Sequence, residues 1–222
     1  NLFDKLTSTY CYTTVKETPA ILSSIMFVDN HFGGSYYPAG STLNLVGKLE
    51  KAIEENNGDI IYNTEVEKII VENNRAKGVN LDNGKVLEGK YIINSGNVWN
   101  LYNKLLKDES SEEIKKWVNS LEPSYPSVVI FALVKKEVIP KGTLPIEMLI
   151  ADKSKLDEGE ITVYILSIDD KTLCHEEYHT VMAIGPSFKA WPKGFKNNYR
   201  TEEYRKMKEL EKNRMLNVLE KR

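Results

Sequence analysis

Behind Ser41 the apolar residues Leu43, Leu45, Val46, Leu49 and Ile53 recur at helical spacing, so 42–56 predicts an amphipathic helix with Ser41 as its N-cap. Asn56-Asn57-Gly58 ends it with residue types that tolerate left-handed geometry. The rhythm then changes. Asp59–Tyr62, Val66–Val71, Ala76–Leu81 and Val86–Asn94 are short runs rich in Val, Ile and Tyr. Turn formers part them: Asn63-Thr64, Glu72-Asn73-Asn74 and Asp82-Asn83-Gly84. The last of these predicts a hairpin, because Asn-Gly supplies the positive φ angles of a tight β-turn. Residues 41–94 thus predict a helix, a strand, a small antiparallel meander and one more buried strand.

Residues 98–106 and 111–121 predict two helices, the second with capping chemistry in Ser110-Ser111 and an acidic first turn in Glu112-Glu113. After Pro123 and Pro126 come apolar strands at 127–135, 146–151, 160–167 and 180–184, which predict an antiparallel or mixed sheet. A long charged helix over 201–221 closes the chain, with Tyr204, Met207, Leu210, Met215, Leu216 and Leu219 on or near one face. Its glutamates Glu202, Glu203, Glu209, Glu211 and Glu220 interleave with basic residues and read as a solvated face. The fold class is α+β.

Composition changes this picture little. The 222 residues suffice for one substantial core or two small ones. Thirty basic against thirty-two acidic residues give a net charge of -2, so no nucleic-acid partner is expected. Cys11 and Cys174 leave one disulfide open but make no disulfide framework, and a reducing, cytoplasmic setting is the default. The longest apolar stretch, Val128–Val134, falls far short of the roughly 20 residues that span a bilayer. The chain starts at Asn1, not Met, which suggests a processed chain or a piece of a longer one.

Four stretches, in order, resemble the phytoene desaturase, carotenoid isomerase and retinol saturase group of flavoproteins. They are Gly33-Gly34-Ser35-Tyr36-Tyr37-Pro38-Ala39-Gly40-Ser41, Asn57-Gly58-Asp59-Ile60, Asn63-Thr64-Glu65-Val66-Glu67-Lys68-Ile69 and Ile92-Ile93-Asn94-Ser95-Gly96-Asn97. Leu121-Glu122-Pro123-Ser124 resembles the family's approach to its substrate-domain sheet, and Tyr199–Arg222 the helix before its last FAD-contacting region. Ser41 departs from the family, which has a second glycine there, as does Ala39, where a lysine is common. Ser95-Gly96-Asn97-Val98 stands in place of the family's Asn-Ala-Asp-Pro.

The resemblance implies an α/β flavoprotein fragment with four parts. Residues 1–40 form a substrate-facing segment, 41–97 the helix and β-meander of an FAD-binding domain, 98–200 substrate-domain sheet and helices, and 201–222 a helix leading to a further FAD region. It implies FAD in the intact parent and an apolar, polyene or isoprenoid-like substrate, desaturated, saturated or isomerised. A substrate of that kind lives in lipid, so peripheral membrane association accompanies it, though no anchor is encoded here. The Gly-x-Gly-x-x-Gly phosphate turn of such flavoproteins does not occur in the chain, so by itself it is expected to be inactive and to bind FAD weakly or not at all.

Carried over residue by residue, the resemblance assigns Val66, with Thr64 and Glu65 beside it, to the strand that meets the adenine. Ser95 and Gly96 end a buried strand where an open sheet meets its ligand. Gly40 lets backbone approach the cofactor, and Gly33 and Gly34 do the same for substrate beside Pro38. Tyr36 and Tyr37 are candidates to line an apolar channel. Each has a plainer role open to it in core packing or turn geometry. No catalytic acid or base is assigned.

His175-Glu176-Glu177-Tyr178-His179 satisfies the His-Glu-x-x-His zinc signature, which needs both histidines on one helical face. Strand-like Thr180–Ile184 follows at once and only His31 remains as a third histidine, so no metal site is expected. Besides the flavoenzyme reading, a non-catalytic α+β module that binds a ligand or a protein stays open, with the zinc hydrolase behind it.

Overall fold

The computed structural model describes residues 7, 15–34, 36–123, 125–150, 160–192 and 201–221. In chain order run α1 (Ala20–Val28), continued by a π-turn at Asp29–Gly33, and α2 (Thr42–Glu55). Strands β1 (Val66–Glu72), β2 (Arg75–Leu81) and β3 (Val86–Glu88) follow. Then come α3 (Val98–Asn100), continued by a π-turn at Leu101–Leu105, and α4 (Glu112–Ser120). Strands β4 (Ser127–Lys135), β5 (Ile146–Leu149), β6 (Ile161–Tyr164) and β7 (Tyr178–Pro186) precede the last helix, α5 (Glu202–Glu220). They group into two units, one of residues 49–123 and one of residues 1–48 with 124–222. The architecture is α+β, as the residue pattern predicts.

In the 49–123 unit, β1, β2 and β3 form an antiparallel meander in that order. The predicted origin of its turns needs correcting. The mirror-image tight turn is Glu72-Asn73-Asn74-Arg75, where both asparagines take positive φ (51° and 60°). At Asp82-Asn83-Gly84 only Gly84 does so (φ 81°), its N–H donating to Leu81 O at 2.9 Å. Asparagine is one of the few residues besides glycine that enter the left-handed region at modest cost, and two adjacent ones suffice here. Between β2 and β3, Gly78 allows close approach: a Cβ there would lie 2.3 Å from Leu87 O.

One predicted strand does not form, and another is cut short. Asp59–Tyr62 pairs with no strand among the described residues, and β3 stops at Glu88 and not at Asn94. The run after β3 is not buried either, with Ile93 93% exposed. A strand needs a neighbour to pair with, however β-prone its residues. Below β1, the π-turn buries Leu105. Lys68 Nζ bonds Asp108 Oδ2 at 2.8 Å, and Lys104 pairs with Glu65. Ser111 caps α4 by accepting the Ile114 N–H at 3.2 Å, and Val118 is fully buried.

In the other unit four antiparallel strands lie in the order β4-β7-β6-β5. Alternation sends one set of side chains to a core of Ile161, Val163, Ile165 and Ala183, closed by Met215 from α5. Val128, Ile130, Val218 and Leu219 pack around it. The predicted face of α5 is shifted: Leu210 and Leu216 are exposed, whereas Glu211 is fully buried. The buried and half-buried positions Tyr204, Met207, Glu211, Met215 and Val218 keep helical spacing.

A carboxylate tolerates that position because it is paired. Lys189 Nζ reaches Glu211 Oε1 at 2.5 Å, and Arg214 Nη2 reaches Oε2 at 2.9 Å while also donating to Pro186 O at 3.0 Å. Burial pushes the Glu211 pKa up, but the hydrogen bonds from Lys189 and Arg214 outweigh it and hold the carboxyl below its ordinary range. Trp191 donates to Ser187 Oγ at 3.0 Å and stacks, tilted, near Tyr204. The helix is thereby tied to the segment leaving β7.

Candidate functional site

The sheet has a second face, and it is also apolar. Along β4 the alternate residues Val129, Phe131 and Leu133 point away from the core, Phe131 77% and Leu133 60% exposed. Their partners on β7 are Ile184, Met182 and Thr180. Phe131, Leu133, Tyr164, Leu173 and Met182 border a groove of about 430 Å³. At the other edge Ile146 and Met148 of β5 are exposed opposite Tyr164 and Thr162, though Thr162 itself is buried. The groove falls in the size range of small-molecule sites, roughly 300–1,000 Å³. Apart from the Tyr164, Thr180 and buried Thr162 hydroxyls these side chains are hydrocarbon or thioether, so they suit an apolar ligand. None of these residues stands out in the sequence as a site residue. Ser127–Lys135 is apolar at odd and even positions alike, which is the mark of a strand covered on both faces.

The Gly33–Ser41 turn belongs to the same unit. Gly34 (φ 76°), Gly40 (φ 82°) and Ser41 (φ 83°) all take left-handed backbone. For Ser41 such geometry costs on the order of 1–2 kcal/mol, which accounts physically for a second glycine in the family's version of the turn. The Ser41 hydroxyl still caps α2 by accepting the Leu43 N–H at 3.2 Å. Asp170, unnoticed as a site residue in the sequence, accepts the Gly40 N–H at 2.8 Å. Burial, and after it the Asp170 charge, raises the Tyr37 phenol above its ordinary range. Tyr36 is 91% exposed, Pro38 is half-buried and Ser35 lies outside the described residues.

Thr64, Glu65, Val66, Ser95 and Gly96 fall in the other unit. Val66 opens β1 opposite Leu81 and is half-buried. Thr64 donates to Tyr62 O at 3.0 Å, and Glu65 is engaged by Lys104. Among the described residues β1 pairs only with β2, so its outer edge carries backbone groups that face no strand. Ser95 and Gly96 are exposed, followed by Asn97, whose Oδ1 caps α3 by accepting the Asn100 N–H at 2.8 Å.

The His-Glu-x-x-His stretch is not helical. His175 lies in a turn with its side chain 68% exposed, and His179, expected just before the strand, is inside β7. His179 is buried, with Nδ1 2.9 Å from Ser167 Oγ, which also accepts the Thr180 N–H at 3.0 Å. Burial, then the nearby Lys171 and Lys136 charges, lowers its pKa and favours the neutral ring. Among the described residues no three His, Cys, Asp or Glu side chains gather as metal ligands. Cys174 is a free thiol bonded to Tyr178 O at 3.2 Å, while Cys11 and the His31 side chain lie outside the described residues. No described helix is long and apolar enough to cross a membrane.

Comparison with known proteins now bears on this arrangement. Prolycopene isomerase of Daucus carota is 29% identical over 211 residues, covering 93% of this chain and 34% of that protein. The Arabidopsis thaliana prolycopene isomerase is 32% identical over 169 residues, covering 73% of this chain and 28% of its own length. The chain thus spans about a third of the curated relatives it matches. A phytoene desaturase (neurosporene-forming) of Cereibacter sphaeroides is 29% identical over 87 residues, 39% of this chain and 16% of that protein. The crystal structure of an oxidoreductase from Methanosarcina mazei has the same fold, with a TM-score of 0.64 at 21% identity over 97% of this chain and 47% of that one. Residues 10–190 match the Flavin containing amine oxidoreductase family, and the chain belongs to it.

Proposed function

We propose that this chain is part of a longer FAD-dependent oxidoreductase that acts on C–C or C=C bonds of an apolar, polyene or isoprenoid-like substrate, as a desaturase, saturase or isomerase. The observation that carries the reading is the open apolar face along β4 and β7, where Phe131, Leu133 and Met182 border the groove. A hydrocarbon chain offers few hydrogen-bonding groups, so its binding free energy must come from buried apolar area and shape. These side chains bind and orient it and exclude water. The turn with Tyr36 and Tyr37 adds amphipathic rings from the same unit. Peripheral contact with a membrane goes with a substrate dissolved in lipid.

For the cofactor, the residues present fit in part. The outer edge of β1 at Thr64, Glu65 and Val66 offers backbone donors and acceptors suited to the edge of an adenine, with Ser95 and Gly96 as further candidates. Gly40 is the candidate in the other unit. The apolar runs at Asp59–Tyr62 and after β3 are sequences that suit strands of a larger sheet. FAD, when bound, supplies hydride acceptance and return, chemistry the side chains themselves lack. Without a glycine-rich phosphate turn, the chain alone holds FAD weakly and is inactive.

The test compares the 222-residue chain with the longer polypeptide of the same reading frame. The longer protein should purify yellow and convert a lycopene-type polyene, followed by chromatography, while the chain alone stays colourless. A colourless longer protein with no conversion sinks the flavoenzyme reading. The same apolar face favours a second reading, a non-catalytic binding module, for which polyene would be bound but recovered unchanged.

A further inference from the structure

Asp170 divides its carboxylate between two tasks. Oδ1 closes its own loop by accepting the Thr172 N–H at 3.0 Å and the Thr172 hydroxyl at 2.6 Å. That fixes the carboxylate and leaves Oδ2 aimed at the Gly40 N–H, 130 residues away, at 2.8 Å. The bond joins the loop before β7 to a backbone pair, Gly40 and Ser41, held at φ 82° and 83°. Local bonds assist: Asn44 Nδ2 donates to Ala39 O at 3.1 Å, and Ser41 Oγ takes the Leu43 N–H. Those local bonds, however, lie within the turn and the first turn of α2, so they fix its shape without fixing it to the sheet unit's loops. The long-range bond is charge-assisted and ties it down. Tyr37 lies three residues before Gly40 in the clamped turn, near enough to the carboxylate that its charge, after burial, adds to raising the phenol pKa.

We propose that Asp170 is a positioning residue: it clamps the strained Gly40–Ser41 turn and, with it, sets Tyr37 for contact with the substrate. This rests on the reading above, in which the Gly33–Ser41 turn faces substrate. Asp170 touches no reacting atom. Its effect reaches the ligand through Gly40 and Tyr37, and the strain at Ser41 is what makes a clamp necessary, since a glycine there would hold the same turn unaided.

Two measurements on the 222-residue chain judge the clamp without flavin or substrate. Losing a charge-assisted bond should speed hydrogen exchange at the Gly40 amide roughly tenfold or more in Asp170→Ala. Asp170→Asn, which keeps an acceptor oxygen, should retain most of the protection. In both variants the Tyr37 phenol, titrated by ultraviolet difference against Tyr37→Phe, should shift down. Unchanged Gly40 exchange in Asp170→Ala overturns the proposal.

In the longer enzyme, Asp170→Ala should raise KM for a lycopene-type polyene about tenfold with kcat nearly unchanged, the pattern of lost uniform binding. Adding Ser41→Gly should recover at least half of that loss. A lost amide protection with unaltered KM, or a double variant with no recovery, overturns the positioning role. A wild-type enzyme that converts no polyene fails the functional reading alone; the clamp is still decided by the exchange and titration data.

Discussion

The two faces of the four-stranded sheet are built from alternate residues of the same strands, yet they end in opposite environments. One side of β4 contributes Val128 and Ile130 to a core in which Ile161, Ala183 and Met215 are fully buried. The other side contributes Val129, Phe131 and Leu133, which stay exposed. Hydrophobicity alone therefore does not decide what is inside; the covering element does, and here that element is α5. An apolar face that contributes little to stability is a face kept for contact. The comparison also separates two kinds of substitution, those that act through packing and those that act through binding.

The largest effect should come from the covered side. Glu211→Ala removes the buried partner of Lys189 and Arg214, whose side chains are 33% and 16% exposed and regain some water, so the cost should be about 3 kcal/mol, the low end for breaking a buried pair. Urea denaturation should show the midpoint falling with an unchanged slope. A Glu211→Ala protein of wild-type stability would mean that the Lys189–Glu211–Arg214 group contributes nothing net to holding α5. Met215→Ala, which opens a cavity among Ile161, Val163 and Ala183, should cost about 2–5 kcal/mol in the same assay.

A smaller effect follows from His179, on the strand that joins the two faces. Its folded pKa lies below the ordinary value of about 6.5, so the unfolded chain binds the proton more tightly. Stability from this group is complete above the unfolded pKa and is lost as pH falls through that value toward the folded one. His179→Gln, which keeps a polar partner for Ser167, should remove this slope. Glu211, whose carboxyl is held low, contributes stability that is lost only at more acidic pH, so the two dependences separate along the pH axis.

These contrasts show which parts of the molecule were legible in its residues. Helix α2, strand β4 and the cap at Ser111 follow from local period and local hydrogen bonding, and they form as predicted. Asp59–Tyr62 and the run through Ile93 carry equally good strand composition but have no partner to ladder with among the described residues. Pairing is not a local property. Glu211 looks solvated in the sequence because one glutamate in a charged helix resembles its neighbours; only Lys189 and Arg214, brought in by the fold, reveal it. Asp170 was invisible for the same reason, its partner Gly40 being 130 residues away. The open face is a partial exception: the unbroken apolar run of Val128–Val134 signals two covered faces, and the described residues supply a cover for one.

The smallest expected effect on stability is the most telling about function. Phe131 lies 77% exposed on the open face, opposite Met182, so Phe131→Ser removes little buried area and should move the unfolding free energy by no more than about 0.5 kcal/mol. Its neighbour Ile130, one residue away and facing the core, should cost far more when cut to Ala, because it packs against the buried cluster and pairs with Ala183. If the open face binds a polyene, Phe131→Ser should weaken that binding several-fold while urea denaturation stays unchanged, since an aromatic wall contributes through contact area with the ligand. A large loss of stability in Phe131→Ser would show that the face is covered in solution. Unchanged polyene binding in a stable Phe131→Ser and Leu133→Ser double variant would move the substrate elsewhere.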